Sequence, residues 1–142
     1  MKPNQVKISR ELNVSPEQAW DVIAAVEGVD KWFGSIIKTC DVVDGKRFCT
    51  TKDGVVLEEQ ILEVDNETKT FRFGIPKQEM LPVENIIETI MVTNNENGKA
   101  IIDWSASIEA TNENATIAKE AFLNLWAMGL EEMENFINNR NQ

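Results

Sequence analysis

Two cysteines flank a turn at a spacing that brings them face to face. Asp44-Gly45 is a two-residue hairpin signal between Val43 and Lys46. With those two residues as the loop, Val43 faces Lys46 as the hydrogen-bonded closing pair. Counting back along both strands, Cys40 faces Cys49 at a non-hydrogen-bonded position, where side chains approach most closely. Three chemistries suit such a pair: two packed thiols, a strained cross-strand disulfide used as a redox switch, or a soft-metal site. In a reducing cytoplasm both thiols stay reduced.

The remaining chemistry is narrowed by what the chain lacks. It has no histidine and no tyrosine. That removes Ser–His and Cys–His nucleophile pairs. No histidine can ligate zinc, and two cysteines do not complete a structural zinc site, so no metal and no cofactor are expected. Neither a GxGxxG nor a GxxxxGK[ST] phosphate loop occurs. Acidic residues outnumber basic ones 24 to 14, a net charge of −10. Nucleic acid and anionic membrane surfaces are therefore poor partners, and the acidity reads as a solubility device. No apolar run reaches the length of a membrane span, so no membrane insertion is expected. The N-terminus has no apolar signal region, and the expected location is the cytoplasm.

The chain has 142 residues, of which 42% are hydrophobic, enough for the core of one ordinary domain over residues 1–142. Residues 6–14 alternate as a strand. Ser15 then reads as a helix N-cap, with Pro16 at the first helical position and Gln18 placed to complete a capping box. Trp20, Ile23 and Ala24 give that short helix an apolar face, Gly28 ends it, and residues 29–33 read as a second short turn. Strands follow at about 35–43, 46–52, 55–64, 69–75, 84–94 and 99–110, separated by turn signals at Asp44-Gly45, Asp53-Gly54, Asp65-Asn66 and Asn97-Gly98. One long helix closes the chain over roughly 114–138, with Asn114 as its N-cap. Its apolar stripe contains Ala118, Phe122, Leu125, Trp126, Gly129, Met133, Phe136 and Ile137. A lone amphipathic helix must bury that stripe, and the concave face of a curved antiparallel sheet is the available partner.

This order of elements resembles the START-like superfamily, and the local motifs resemble its polyketide cyclase/dehydrase and lipid-transport family. Ala19-Trp20-Asp21-Val22-Ile23 is similar to the family's first-helix signature, and Lys31-Trp32 to the start of its Arg/Lys-Trp-His-Pro turn. Glu59-x-Ile61 followed by Val64-Asp65-Asn66, Leu81-Pro82-Val83-Glu84-Asn85 and Ile102-Asp103-Trp104 resemble three further segments. Ile36-Ile37-Lys38-Thr39-Cys40 is similar to a strand of the plant abscisic-acid receptors whose lysine meets a ligand carboxylate. The resemblance spans roughly residues 6–137. It implies an α+β helix-grip fold: a seven-stranded curved antiparallel sheet around a long C-terminal helix, with two short helices after strand 1. It also implies an internal cavity. Two departures make that cavity more apolar: Phe33-Gly34 replaces the family's His-Pro, and Ile86 replaces its tyrosine.

Family position places Lys38 inward, with Glu59 and Glu88 as its candidate carboxylate partners. A lysine on a strand is otherwise a surface residue, and a buried ammonium requires a partner. Trp32, Phe71, Phe73, Ile75, Ile86, Ile90 and Trp104 on the strands and short helix are either filled core or cavity wall. The same holds for Phe122, Leu125, Trp126 and Met133 on the long helix. Gly129 costs about 1 kcal/mol against alanine in mid-helix, so either close packing or room for a ligand explains it. Residues 51–54 and 76–82 are simple connections or gates over a cavity mouth.

The leading expectation is a non-catalytic carrier or sensor of a small, mainly hydrophobic molecule, acting as monomer or homodimer. The polar end of the ligand would be fixed by Lys38 with Glu59. The alternatives are a cyclase or dehydratase using Lys38, Glu59 and Glu88 as acid and base, and a protein-interaction module with a vestigial cavity.

Overall fold

Strict alternation shapes the sheet. In β7 (Ala100–Ala110) every second residue is buried, and the intervening ones are half-buried. Ala100, Ile102, Trp104, Ala106, Ile108 and Ala110 thus line one face. The computed structural model describes residues 1–140; the last two residues of the expected 1–142 domain lie outside the described residues.

The elements run β1 (Lys2–Leu12), α1 (Pro16–Ala24), α2 (Val29–Trp32), β2 (Ile37–Val43), β3 (Lys46–Thr51), β4 (Val56–Asp65), β5 (Thr70–Ile75), β6 (Glu84–Asn94), β7 and α3 (Asn112–Arg140). The seven strands form one antiparallel sheet in the order β1-β7-β6-β5-β4-β3-β2. From β2 to β7 it is a meander, and β1 joins it by pairing with β7. This is the expected helix-grip arrangement. Among the described residues no helix is long and apolar enough to cross a membrane.

Local chemistry fixes the joints. The Ser15 hydroxyl accepts the Gln18 N–H at 3.1 Å, and the Gln18 side chain accepts the Ser15 N–H at 2.9 Å, which completes the capping box. Asp44 and Gly45 both have positive φ, 49° and 76°, as the twisted two-residue turn requires. Register follows: Val43 pairs with Lys46, and Cys40 with Cys49. The Trp20 indole donates to Asn66 at 2.9 Å and ties α1 to the β4–β5 turn.

Three boundaries differ from the sequence expectation: α1 ends at Ala24 and not at Gly28, which at a φ of 84° stands instead before α2, and the starts of α3 and β1 shift. α3 starts at Asn112, and its cap is Thr111, whose hydroxyl accepts the Asn114 N–H at 3.2 Å. Asn114 therefore lies inside the helix. Asn112 and Glu113 are exposed, so the first turn carries no apolar signal. β1 runs from Lys2 to Leu12 instead of 6–14. Its start is set by pairing of Lys2 with Ala110, not by an apolar pattern. Val14 lies beyond the strand, where its carbonyl accepts the Ala100 N–H at 2.9 Å.

α3 lies against β1 and β7 and touches α1 and α2. Trp126 is fully buried beneath it and stacks on Trp104, with centroids 5.3 Å apart. Gly129 marks the closest approach of α3 to the short helices. A Cβ there would lie 3.0 Å from the Phe33 ring, and Phe33 in turn stacks on Trp32. Close packing, not room for a ligand, is the reason for this glycine. Gly129→Leu should therefore overpack the α2–α3 contact and lower stability by about 1–3 kcal/mol in urea denaturation. Unchanged stability would contradict that account.

Candidate functional site

An apolar cavity of about 150 Å³ lies between α3, the short helices and the concave face of β3–β7. Trp32, Phe71, Phe73, Ile75, Ile86, Ile90, Trp104, Phe122, Leu125 and Trp126 line it, together with Glu59 and Glu88. Leu125 is 37% exposed and stands at the rim. From the 76–82 connection, Gln78, Met80 and Leu81 reach the cavity, and from the 51–54 turn Thr51 does. The Gln78 side chain ties its loop together, donating to the Leu81 and Val83 carbonyls at 2.9 and 3.1 Å and accepting the Leu81 N–H at 2.8 Å.

Three expected site residues lie elsewhere. Lys38 is exposed and does not line the cavity. The β2–β3 register shifts between Ile37 and Thr39. The extra residue breaks the alternation, so Ile37 and Cys40 turn towards the core while Lys38 turns out. Gly129 faces Phe33, as described above. Met133 is fully buried core under α3 and contributes nothing to the wall.

The cation inside the cavity is Arg47. It sits directly opposite Glu59 across β3 and β4, and the two are only 6% and 7% exposed. Arg47 Nε donates to Glu59 Oε1 at 2.6 Å, and Nη1 donates to the Val26 carbonyl at 2.9 Å. Val26 has a φ of 64°, a conformation that a β-branched residue adopts at a cost of about 1–3 kcal/mol. The guanidinium carbon also lies 5.3 and 4.9 Å from the Phe71 and Phe73 ring centroids. Burial works against the charge of Arg47, but Glu59 more than offsets it, and the guanidinium pKa is raised.

Arg47 was legible through register. It lies two residues from Cys49 and so shares its face. The general tendency of arginine to be exposed hides that signal.

Glu88 on β6 is 5% exposed. Its Oε1 accepts the Trp104 indole N–H at 2.8 Å. Burial, reinforced by the charge of Glu59, pushes its pKa up to about 8; the two indoles and Arg47 act in the opposite direction. The cavity therefore holds a closed ion pair beside a carboxyl that is neutral at pH 7.

Cys40 and Cys49 are directly paired in register, both unbridged, with sulfurs 3.0 Å apart. The Cys49 thiol donates to the Cys40 sulfur. That bond lowers the Cys40 pKa, helped by Arg47. The same bond and burial raise that of Cys49. Among the described residues no group of three or more His, Cys, Asp and Glu side chains is placed to hold a metal ion.

Two predictions follow from this electrostatics. Arg47→Met leaves Glu59 buried without a partner and should cost about 3–5 kcal/mol in urea denaturation. The double replacement Arg47→Met/Glu59→Leu should recover most of that loss; no recovery would show that the pair is not the source. In native protein, iodoacetamide should modify Cys40 well before Cys49, read by peptide mass mapping. Equal labelling would contradict the assigned proton sharing.

Comparison with known proteins agrees with this architecture. No curated protein matches the chain. Many solved structures share its shape at low identity, among them the following three. XoxI from Bacillus cereus has a TM-score of 0.84 at 20% identity, covering 97% of this chain and 98% of its own. An uncharacterised protein from Bacillus thuringiensis has a TM-score of 0.82 at 19% identity, covering 94% and 98%. Norcoclaurine synthase from Thalictrum flavum, solved in complex with dopamine and hydroxybenzaldehyde, has a TM-score of 0.79 at 14% identity, covering 97% and 88%. A model of the polyketide cyclase/dehydrase and lipid transport family matches residues 4–135. With that match over nearly its whole length, the chain belongs to the polyketide cyclase/dehydrase and lipid transport family.

Proposed function

We propose that this protein binds a small, mainly hydrophobic molecule in the cavity beneath α3, as a non-catalytic carrier or sensor. The observation that carries this reading is the cavity itself. It measures about 150 Å³, its wall is aromatic and aliphatic, and its few polar groups include Arg47, Glu59 and Glu88. Ligand sites are typically concave, mostly apolar and furnished with few placed polar groups. An engineered apolar cavity of about 150 Å³ in another protein binds benzene, so this volume suits a molecule built around one ring. The wall fixes the apolar body, and the patch formed by Glu88 and the Arg47–Glu59 pair orients the polar end. The loop carrying Met80 and Leu81 borders the entrance.

A second reading is favoured by Glu88. A buried carboxyl of raised pKa lining a cavity is also a general acid, the equipment of a cyclase or dehydratase. It lacks a matching free base, because Glu59 is engaged by Arg47 at 2.6 Å. The binding reading therefore stands first.

Native mass spectrometry of gently purified protein, beside a denatured sample of the same batch, tests the proposal. The expected outcome is a mass excess that disappears on denaturation. Titration with the neutral one-ring probe ethylbenzene should give saturable binding by calorimetry. A bare mass together with no probe binding would sink the proposal.

A further inference from the structure

The polar groups in the cavity do not face a ligand on equal terms. Arg47 spends its charge on Glu59 and a further N–H on the Val26 carbonyl. Charge for charge, that pair cancels. Glu88 differs because the groups that approach it are donors. The Trp104 indole N–H bonds its Oε1 at 2.8 Å, and the Trp126 indole N–H lies beside the same carboxyl. Glu59 bears on Glu88 through its charge, while its own carboxylate is bonded to Arg47 at 2.6 Å. No buried side-chain oxygen among the described residues is both enclosed and unpartnered. Glu88 lines the cavity, and the Trp104 indole takes up one of its two carboxyl oxygens.

We propose that the bound molecule is neutral and presents an acceptor oxygen, such as a ketone, aldehyde or ester carbonyl, to which the Glu88 carboxyl donates a hydrogen bond. This rests on the cavity being a ligand site, as proposed above. Electrostatics supports it in a second way. An anionic ligand would lose its hydration and find no unpaired cation among the described residues of the wall, because Arg47 is already paired with Glu59. The nearby charged groups are Glu59 on β4 and Arg47 on β3. Trp104 on β7, Trp126 on α3 and Phe73, opposite on β5, bring no charge.

The test uses three probes of similar size, ethylbenzene, acetophenone and benzoate, titrated at pH 7 by calorimetry. Acetophenone should bind at least tenfold more tightly than benzoate. The ratio of acetophenone to ethylbenzene affinity should fall about threefold to tenfold in Glu88→Leu. Glu88→Gln, whose amide still donates, should keep that ratio. As the pH rises through about 8 the wild-type carboxyl ionises and ceases to donate, so acetophenone affinity should fall. In Glu88→Gln it should not, and ethylbenzene should show no such pH dependence in either protein.

An affinity ratio unchanged in Glu88→Leu, or benzoate binding as tightly as acetophenone, overturns the inference while leaving the cavity reading intact. If Glu88→Leu does not fold, the comparison of wild type with Glu88→Gln across pH decides: equal, flat profiles overturn the inference. Failure of all three probes, ethylbenzene included, overturns the cavity reading and this inference with it.

Discussion

α3 packs against β1 and β7, while α1 reaches β6 and α2 reaches β2. A helix is only about 10–12 Å across with its side chains, whereas neighbouring strands add about 4.7–4.9 Å each. One helix therefore cannot close a curved sheet of seven strands. α1, α2 and the large aromatic side chains of the wall fill most of the remaining space, and the cavity is what they leave. The close contact of Gly129 with Phe33 belongs to the same constraint. Phe33 ends α2, so this contact joins α2 to α3.

Within that space, charge has to be arranged without water. Arg47 and Glu59 lie opposite each other on adjacent strands, so the hydrogen-bonded register itself delivers the pair. Phe71 and Phe73 lie beneath the guanidinium, and the Val26 carbonyl caps it at 2.9 Å. A buried pair of this kind adds little net stability, but each partner makes the other indispensable. Glu88 has no cation of its own; burial and the charge of Glu59 raise its pKa to about 8 against the pull of the indole donors, so it holds its proton at neutral pH. Two carboxyls in one cavity thus carry different charge, and the difference comes from their neighbours.

Much of this was legible in the residues. The capping box at Ser15 and the Asp44-Gly45 turn rest on short-range chemistry and appear where the sequence places them. The pairing of Cys40 with Cys49 followed from that turn alone, because a two-residue loop fixes the register of both strands. The aromatic wall was recognisable as one face of strands and helix. Lys38 was misplaced because a single inserted residue in β2 reverses the alternation, and a bulge leaves no mark in side-chain type. Arg47 was missed for the complementary reason. Its inward position is a matter of register, while its residue type points to solvent.

The sequence by itself determined the order of elements, the Ser15 cap, the Asp44-Gly45 turn, and the absence of histidine and tyrosine from any site chemistry. These depend on contacts within a few residues or on composition, and both can be read along the chain. Only the tertiary structure decided which cation enters the cavity, which carboxyl it neutralises and which one keeps its proton. Those outcomes depend on burial and on distances between strands β3, β4, β6 and β7. A pKa is set by the solvent a group has lost and the charges it has gained, and neither quantity exists until the sheet has curved around its helix.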